Sequence, residues 1–179
     1  SLVAHVRSDE HYHSYIEVEN LQTGKSNRLN TGNSVLPQWS PDGKHIACVV
    51  WKSRRLPHEL AVADVASDSV VLDPKASASV TTKKWSPDGN RIAAEGTIHS
   101  RAHQMLYMVS FPEGKVTVID TVDVLGNYEF SWSPDGRWIV FSRATKLDDF
   151  SEEPVAEDVW IADSKTGSAW PLLEKPEWV

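Results

Sequence analysis

The 179 residues include 18 Lys plus Arg against 25 Asp plus Glu, a formal charge of −7 that argues against general nucleic-acid binding, because phosphate affinity rests on clustered cations. At 40% hydrophobic and 24% charged, the composition is that of a folded globular chain rather than a disordered one. A single cysteine, Cys48, excludes an intramolecular disulfide. No apolar run approaches the ~18 residues of a membrane span, and the opening SLVAHVRSDEHYH lacks a basic n-region and an apolar h-region, so the expectation is a soluble chain with no membrane span or targeting signal.

In chain order, the expected strands begin with residues 1–7 and 15–19, followed by a turn at Gln22-Thr23-Gly24. The segment WSPDG starts at Trp39, and its Pro-Asp-Gly turn leads into an apolar run over 45–51. After a polar connection comes a second β-rich run, 60–65, and a turn at Ser67-Asp68. The same order then recurs. WSPDG at Trp85 precedes runs at 91–98 and 105–109, a Pro112-Glu113-Gly114 turn and an edge run at 115–120. WSPDG at Trp132 precedes runs at 138–142 and 159–162 and a Lys165-Thr166-Gly167 turn. The tryptophan spacings are 46 and 47 residues, and a further 46 reaches Trp178 in the terminal PEWV. No 3.6-residue periodicity interrupts these short runs, so each period reads as four strands, A (ending at the Trp), B, C and D. Four strands repeated at this period describe blades of a β-propeller, an all-β fold.

The expected blades span about 1–34 (strands B, C and D only), 35–80, 81–127 and 128–175, with 176–179 a stub of a further strand A. Two closures remain open. The stub pairs beside the strand at 1–7 and makes a small four-bladed ring, or the chain is an arc of a larger ring with exposed blade edges, through which two copies would self-associate.

Trp-Ser-Pro-Asp-Gly followed by a strand with Arg or Lys near an Ile-Ala/Val step, with Val159-Trp-Ile-Ala leading to Asp163-Ser-Lys-Thr-Gly167, resembles the WD-like PD repeat of the TolB-like propellers over nearly the whole chain. That resemblance implies rings of more than four blades, a non-catalytic protein- or peptide-binding scaffold, and a periplasmic or secreted location. It also implies two enzymatic alternatives, since similar blades form the body of metal-dependent polysaccharide lyases and gate prolyl-oligopeptidase-like peptidases.

Asp42, Asp88 and Asp135 recur in register and would suit calcium, but an Asp before Gly also bonds the backbone of its own turn, and that structural role is the expected one. The tryptophans are expected between blades, each with an indole N–H in need of an acceptor. In an up-and-down blade the B–C and D–A connections emerge together, opposite the WSPDG turns. His11, His13, His58, His99 and His103 all precede a strand C, where the fourth repeat has Glu157 and Asp158. Neutral imidazoles with a carboxylate suit Zn or Mn, which makes His13, His58, His103 and Glu157 the candidate metal set and a divalent ion the one candidate cofactor. On the same face, Lys52, Arg54 and Arg55 oppose an acidic connection at 146–158 that contains Asp148, Asp149, Glu152 and Glu153. This polarised rim is the candidate partner-binding surface. Neither a Gly-x-Ser-x-Gly elbow nor HExxH, a phosphate loop or CxxC occurs in the sequence. Cys48, inside an apolar run, is expected to pack as a small hydrophobe.

Overall fold

Short apolar runs, punctuated by Gly and Asp turns, produce only strands among the described residues. The chain is a computed structural model, described over residues 1–51, 58–72, 78–98, 104–122, 128–147 and 154–172. The strands are β1 (Leu2–Ser8), β2 (Ser14–Asn20), β3 (Lys25–Arg28), β4 (Ser34–Trp39), β5 (His45–Val50), β6 (Glu59–Asp64), β7 (Ser69–Leu72), β8 (Ala78–Trp85), β9 (Arg91–Ile98), β10 (Gln104–Ser110), β11 (Val116–Val122), β12 (Phe130–Trp132), β13 (Trp138–Leu147), β14 (Pro154–Asp163) and β15 (Ala169–Pro171). They form four antiparallel sheets in sequence order: β1-β2-β3, β4-β5-β6-β7, β8-β9-β10-β11 and β12-β13-β14-β15. Among the described residues the first sheet has three strands, and no strand joins it to the fourth. The described chain is therefore an open succession of propeller sheets.

Each middle sheet is buried on both faces, which explains why its strands read as continuous apolar runs rather than as alternating ones. On β5, Ile46, Cys48 and Val50 pack with Ile16, Val18 and Leu29 of the first sheet. The intervening Ala47 and Val49 pack with Trp85, Ile92, Ala94 and Tyr107 of the third. A third cluster joins Ala93, Leu106 and Met108 to Phe130, Ile139, Phe141 and Ala162 of the fourth sheet. Burial pushes the Cys48 thiol up to about 11, so at neutral pH it is a packed, protonated hydrophobe.

The three WSPDG turns share one bonding pattern. Ser40 Oγ donates to Asp42 Oδ1 at 2.5 Å, Lys44 N to the same oxygen at 3.1 Å, and His45 N to Ser40 Oγ at 2.9 Å. Ser86, Asp88, Asn90 and Arg91 repeat this pattern, as do Ser133, Asp135, Arg137 and Trp138. The serine hydroxyl is the first cause holding the carboxyls of Asp42 and Asp135 below the usual range. All three aspartates are thus turn-forming groups.

Successive sheets are locked by repeated contacts. The Trp85 indole Nε1 donates to the Gln38 carbonyl at 3.2 Å and the Trp132 Nε1 to the Lys84 carbonyl at 3.1 Å; each acceptor immediately precedes the WSPDG tryptophan of the preceding sheet. Lys84 Nζ in turn donates forward to the Phe130 carbonyl. Lys83 Nζ reaches back to the Leu36 carbonyl at 2.5 Å, at a bulge between Val35 and Gln38 where Leu36 adopts a φ of 54°. Burial pushes the Lys83 ammonium down to about 8. A lysine with a folded pKa below its ordinary value of 10.5 binds fewer protons when folded than when unfolded. The native chain is therefore expected to gain stability relative to Lys83→Met as pH rises from about 8 toward 10.5; urea unfolding of both proteins across that window checks it, and a constant difference between them would contradict it.

In one respect the sequence expectation is corrected. The segment 146–158 is not a single long connection, because β13 runs on to Leu147 and β14 begins at Pro154. Arg143 stands opposite Asp158 in the ladder, so charge complementarity favours extension, and Pro is tolerated at the first position of a strand. Glu157, opposite Ala144, consequently lies within a strand rather than ahead of one.

Candidate functional site

Antiparallel order places the β1–β2, β5–β6, β9–β10 and β13–β14 connections at one end of the sheets, opposite the WSPDG turns. The β1–β2 connection is described in full. Asp9 organises it: Oδ1 accepts from His11 N at 3.0 Å and His13 N at 2.9 Å, the Asp9 carbonyl accepts from Tyr12 N at 3.0 Å, and Asp9 N donates to the His13 carbonyl at 3.0 Å. Donation from the His13 backbone is the leading cause holding the Asp9 carboxyl below its ordinary range. The turn forces Tyr12 into the left-handed region at φ 62°, a conformation that is costly for a bulky side chain, and leaves the residue 91% exposed. His11 and His13 flank it, with ring centroids 6.3 Å apart and His13 Nδ1 3.6 Å from Asp9 Oδ2. Ser14 N, at the base, donates to Asn33 Oδ1 at 2.9 Å, which ties the hairpin to the connection entering β4.

His58 is held differently. Its ring stands edge-on to Trp51 at 5.0 Å, its N–H donates to Ser79 Oγ at 3.2 Å, and its carbonyl accepts from Val80 N at 2.7 Å. This histidine pins the second sheet to the third. Of the candidate metal set, His13 and His58 sit on separate connections, the Glu157 backbone lies in β14, and His103 falls outside the described residues. Among the described residues no group of three or more His, Cys, Asp and Glu side chains converges in a way that would hold a metal ion. The rim residues Lys52, Arg54, Arg55, Asp148, Asp149, Glu152 and Glu153 also lie outside the described residues.

Two features lie beyond the motifs of the sequence. Tyr12 belongs to none of them, although an aromatic at the centre of a polar DEHYH tip has no core to serve and is a signal in itself. The second is a buried polar group between the third and fourth sheets. Tyr128 N donates to Glu95 Oε1 at 3.1 Å, Tyr128 OH to Asp120 Oδ2 at 3.1 Å, and Arg143 Nε pairs with the same Asp120 oxygen at 3.0 Å while its guanidinium lies 4.8 Å from the Trp160 ring centre. Burial raises the Glu95 carboxyl above its usual range. These residues stitch the two sheets together.

No family model matches the chain, and no curated protein matches it either. Solved structures do. TolB from Acinetobacter baumannii aligns over 97% of this chain and 42% of its own, at 15% identity and a TM-score of 0.64. The β-propeller domain of the Trilobed protease from Pyrococcus furiosus, which has an open velcro topology, aligns over 97% of this chain and 54% of its own, at 20% identity and 0.70. Pyrococcus horikoshii acylaminoacyl peptidase aligns over 97% and 31%, at 22% identity and 0.67. The chain spans about half or less of each of these proteins. Propeller sheets bonded through WSPDG tryptophans, and likeness at this level to TolB and to peptidase propellers alike, establish the fold: an all-β succession of TolB-like β-propeller blades, open among the described residues.

Proposed function

We propose that this chain is a non-catalytic scaffold that binds a protein or peptide through the connections opposite its WSPDG turns, in a periplasmic or secreted setting. The observation that carries the reading is Tyr12. An exposed aromatic on a turn ordered by four hydrogen bonds is an anchor whose backbone is already fixed, the kind of residue that dominates interface energetics. The backbone strain at Tyr12 supports the same reading, since strained residues concentrate at binding sites. Likeness to TolB and the charged make-up of the segments 52–55 and 148–153 in the sequence add to it.

A random peptide library selected on the immobilised chain is expected to yield binders whose affinity falls about 30-fold on Tyr12→Ala, the equivalent of about 2 kcal/mol at an interface anchor. Binders whose affinity is indifferent to Tyr12→Ala would overturn the reading. So would stoichiometric uptake of Mn or Zn that is lost on His58→Ala, which would favour the lyase-type alternative.

A further inference from the structure

We infer that the cleft between the first and second sheets, at the foot of the Tyr12 hairpin, seats one apolar side chain of the bound peptide, with the Asn33 side-chain Nδ2 donating to a main-chain carbonyl beside it. The inference rests on the peptide-binding reading above and names what that end of the fold would recognise in its partner.

The cleft has a volume of 380 Å³, enough for a small organic group. Its floor is apolar, made by Val50 of β5 and Ala61 of β6, both buried. The connection 31–33 between β3 and β4 forms one wall; Trp51 and Val70, the latter 42% exposed, form the rim opposite. These walls are fixed before anything enters. Thr31 Oγ1 and Ser34 Oγ lie 2.7 Å apart in a buried hydroxyl pair, Trp51 N donates to the Asn33 carbonyl at 2.9 Å, and the Trp51 ring meets the His58 ring edge-on at 5.0 Å. A preformed cavity spares its ligand the cost of ordering it. Gly32, at a φ of 73°, has no atom within 4 Å of where a Cβ would stand, so this stretch of wall is bare main chain against open space.

Asn33 joins the cleft to the anchor. Its Oδ1 accepts from Ser14 N at 2.9 Å, at the base of the Tyr12 hairpin, while its Nδ2, with two N–H donors, has no acceptor among the described residues. A free donor at the edge of an apolar cavity selects a group that carries an acceptor next to an apolar body. An extended peptide supplies that pair at any apolar residue, the side chain for the cavity and the carbonyl for the amide. A charged side chain would meet Val50 and Ala61 with no partner, so the occupant is apolar.

Two substitutions test the cleft without touching Tyr12. Val70→Trp, at the exposed rim, fills it; Asn33→Asp keeps the acceptor for Ser14 N and removes the donor. The probes are peptides selected on the immobilised chain, titrated calorimetrically into the full 179-residue protein. Each substitution is expected to weaken binding about ten-fold, through one apolar side chain or one hydrogen bond respectively, with the urea midpoint unchanged. One apolar residue of the peptide is expected to become indifferent to Val70→Trp once it is replaced by Ala. In the unsubstituted chain, the Asn33 side-chain NH₂ signal is expected to shift as peptide is added, a readout that needs no variant to fold. Loss of affinity on Tyr12→Ala with indifference to both cleft substitutions, or an Asn33 signal that stays in place, overturns the inference and leaves the Tyr12 reading intact. Dependence on the cleft without dependence on Tyr12 overturns the Tyr12 reading and upholds the cleft.

Discussion

Replacing Trp85 by Ala is expected to destabilise the chain by about 3–5 kcal/mol in urea unfolding, the cost of truncating a large aromatic in a packed interior. Trp85 is buried between the second and third sheets, where its ring stands edge-on to Phe111 at 5.3 Å and packs with the cluster containing Ala47, Val49 and Tyr107. Trp85→Phe separates the two parts of its role. Most of the apolar volume survives, but the Gln38 carbonyl loses its indole donor at a part-buried site, at a cost of about 1 kcal/mol. Trp39 is the internal control. It occupies the same place in the repeat, yet no sheet with a WSPDG strand precedes it among the described residues, and its indole bonds no carbonyl there. Trp39→Phe should therefore cost clearly less than Trp85→Phe, and equal costs would mean that the inter-sheet bond contributes nothing to stability.

Gly167→Ala is expected to be the most damaging of the replacements at the seven positive-φ glycines. A Cβ there would lie 2.7 Å from Thr117 Cγ2 and 3.2 Å from the Val118 carbonyl, on the preceding sheet, at a φ of 76°. Thr117 can rotate, whereas the Val118 carbonyl is held in its ladder, so the two sheets must part. Gly24 is the matched position in the first sheet, with a φ of 66° and nothing within 4 Å of where its Cβ would stand. Both substitutions carry the left-handed backbone cost of about 1–2 kcal/mol. Only Gly167→Ala adds the overpacking term of about 1–3 kcal/mol. A difference between the two that vanishes in thermal or urea unfolding would show that the sheets yield freely at this contact.

The fourth position after β2, β6, β10 and β14 illustrates how local and tertiary demands combine. Gly24, Gly114 and Gly167 all have positive φ there, and the second sheet uses Asp68 at 52°. A short polar side chain tolerates that region because it can bond locally. Asp68 gains a tertiary role as well, since its Oδ1 accepts from Asn30 N of the preceding sheet at 2.8 Å. The repeat is thus preserved in geometry while the residue changes.

The strands, their grouping into sheets and the turn role of Asp42, Asp88 and Asp135 are legible in the sequence because they depend on close neighbours: an acid, a serine and a glycine in one turn, and apolar runs between turns. Trp39, Trp85 and Trp132 announce a repeated architecture for the same reason. Spatial convergence lies beyond that reach. Nothing in residue order shows that Lys83 is buried against the Leu36 carbonyl, that Glu95 meets Tyr128 across two sheets, or that the His58 ring lies against Trp51 while its main-chain N–H bonds Ser79. The metal set rests on register alone, and register fixes where a residue sits along its own blade without fixing the distance between blades.

The sequence by itself determined an all-β repeat, its phase and its turn chemistry, since hydrogen bonding within a blade is local in the chain. Only the tertiary structure decided that Tyr12 is an exposed group on a hydrogen-bonded turn, that the first sheet ends in a paired polar face and that the fourth ends in an apolar one. The physical reason is that side-chain burial in a propeller is set by the neighbouring sheet, some 46 residues away, and a strand bears the same alternation whether or not that neighbour is present.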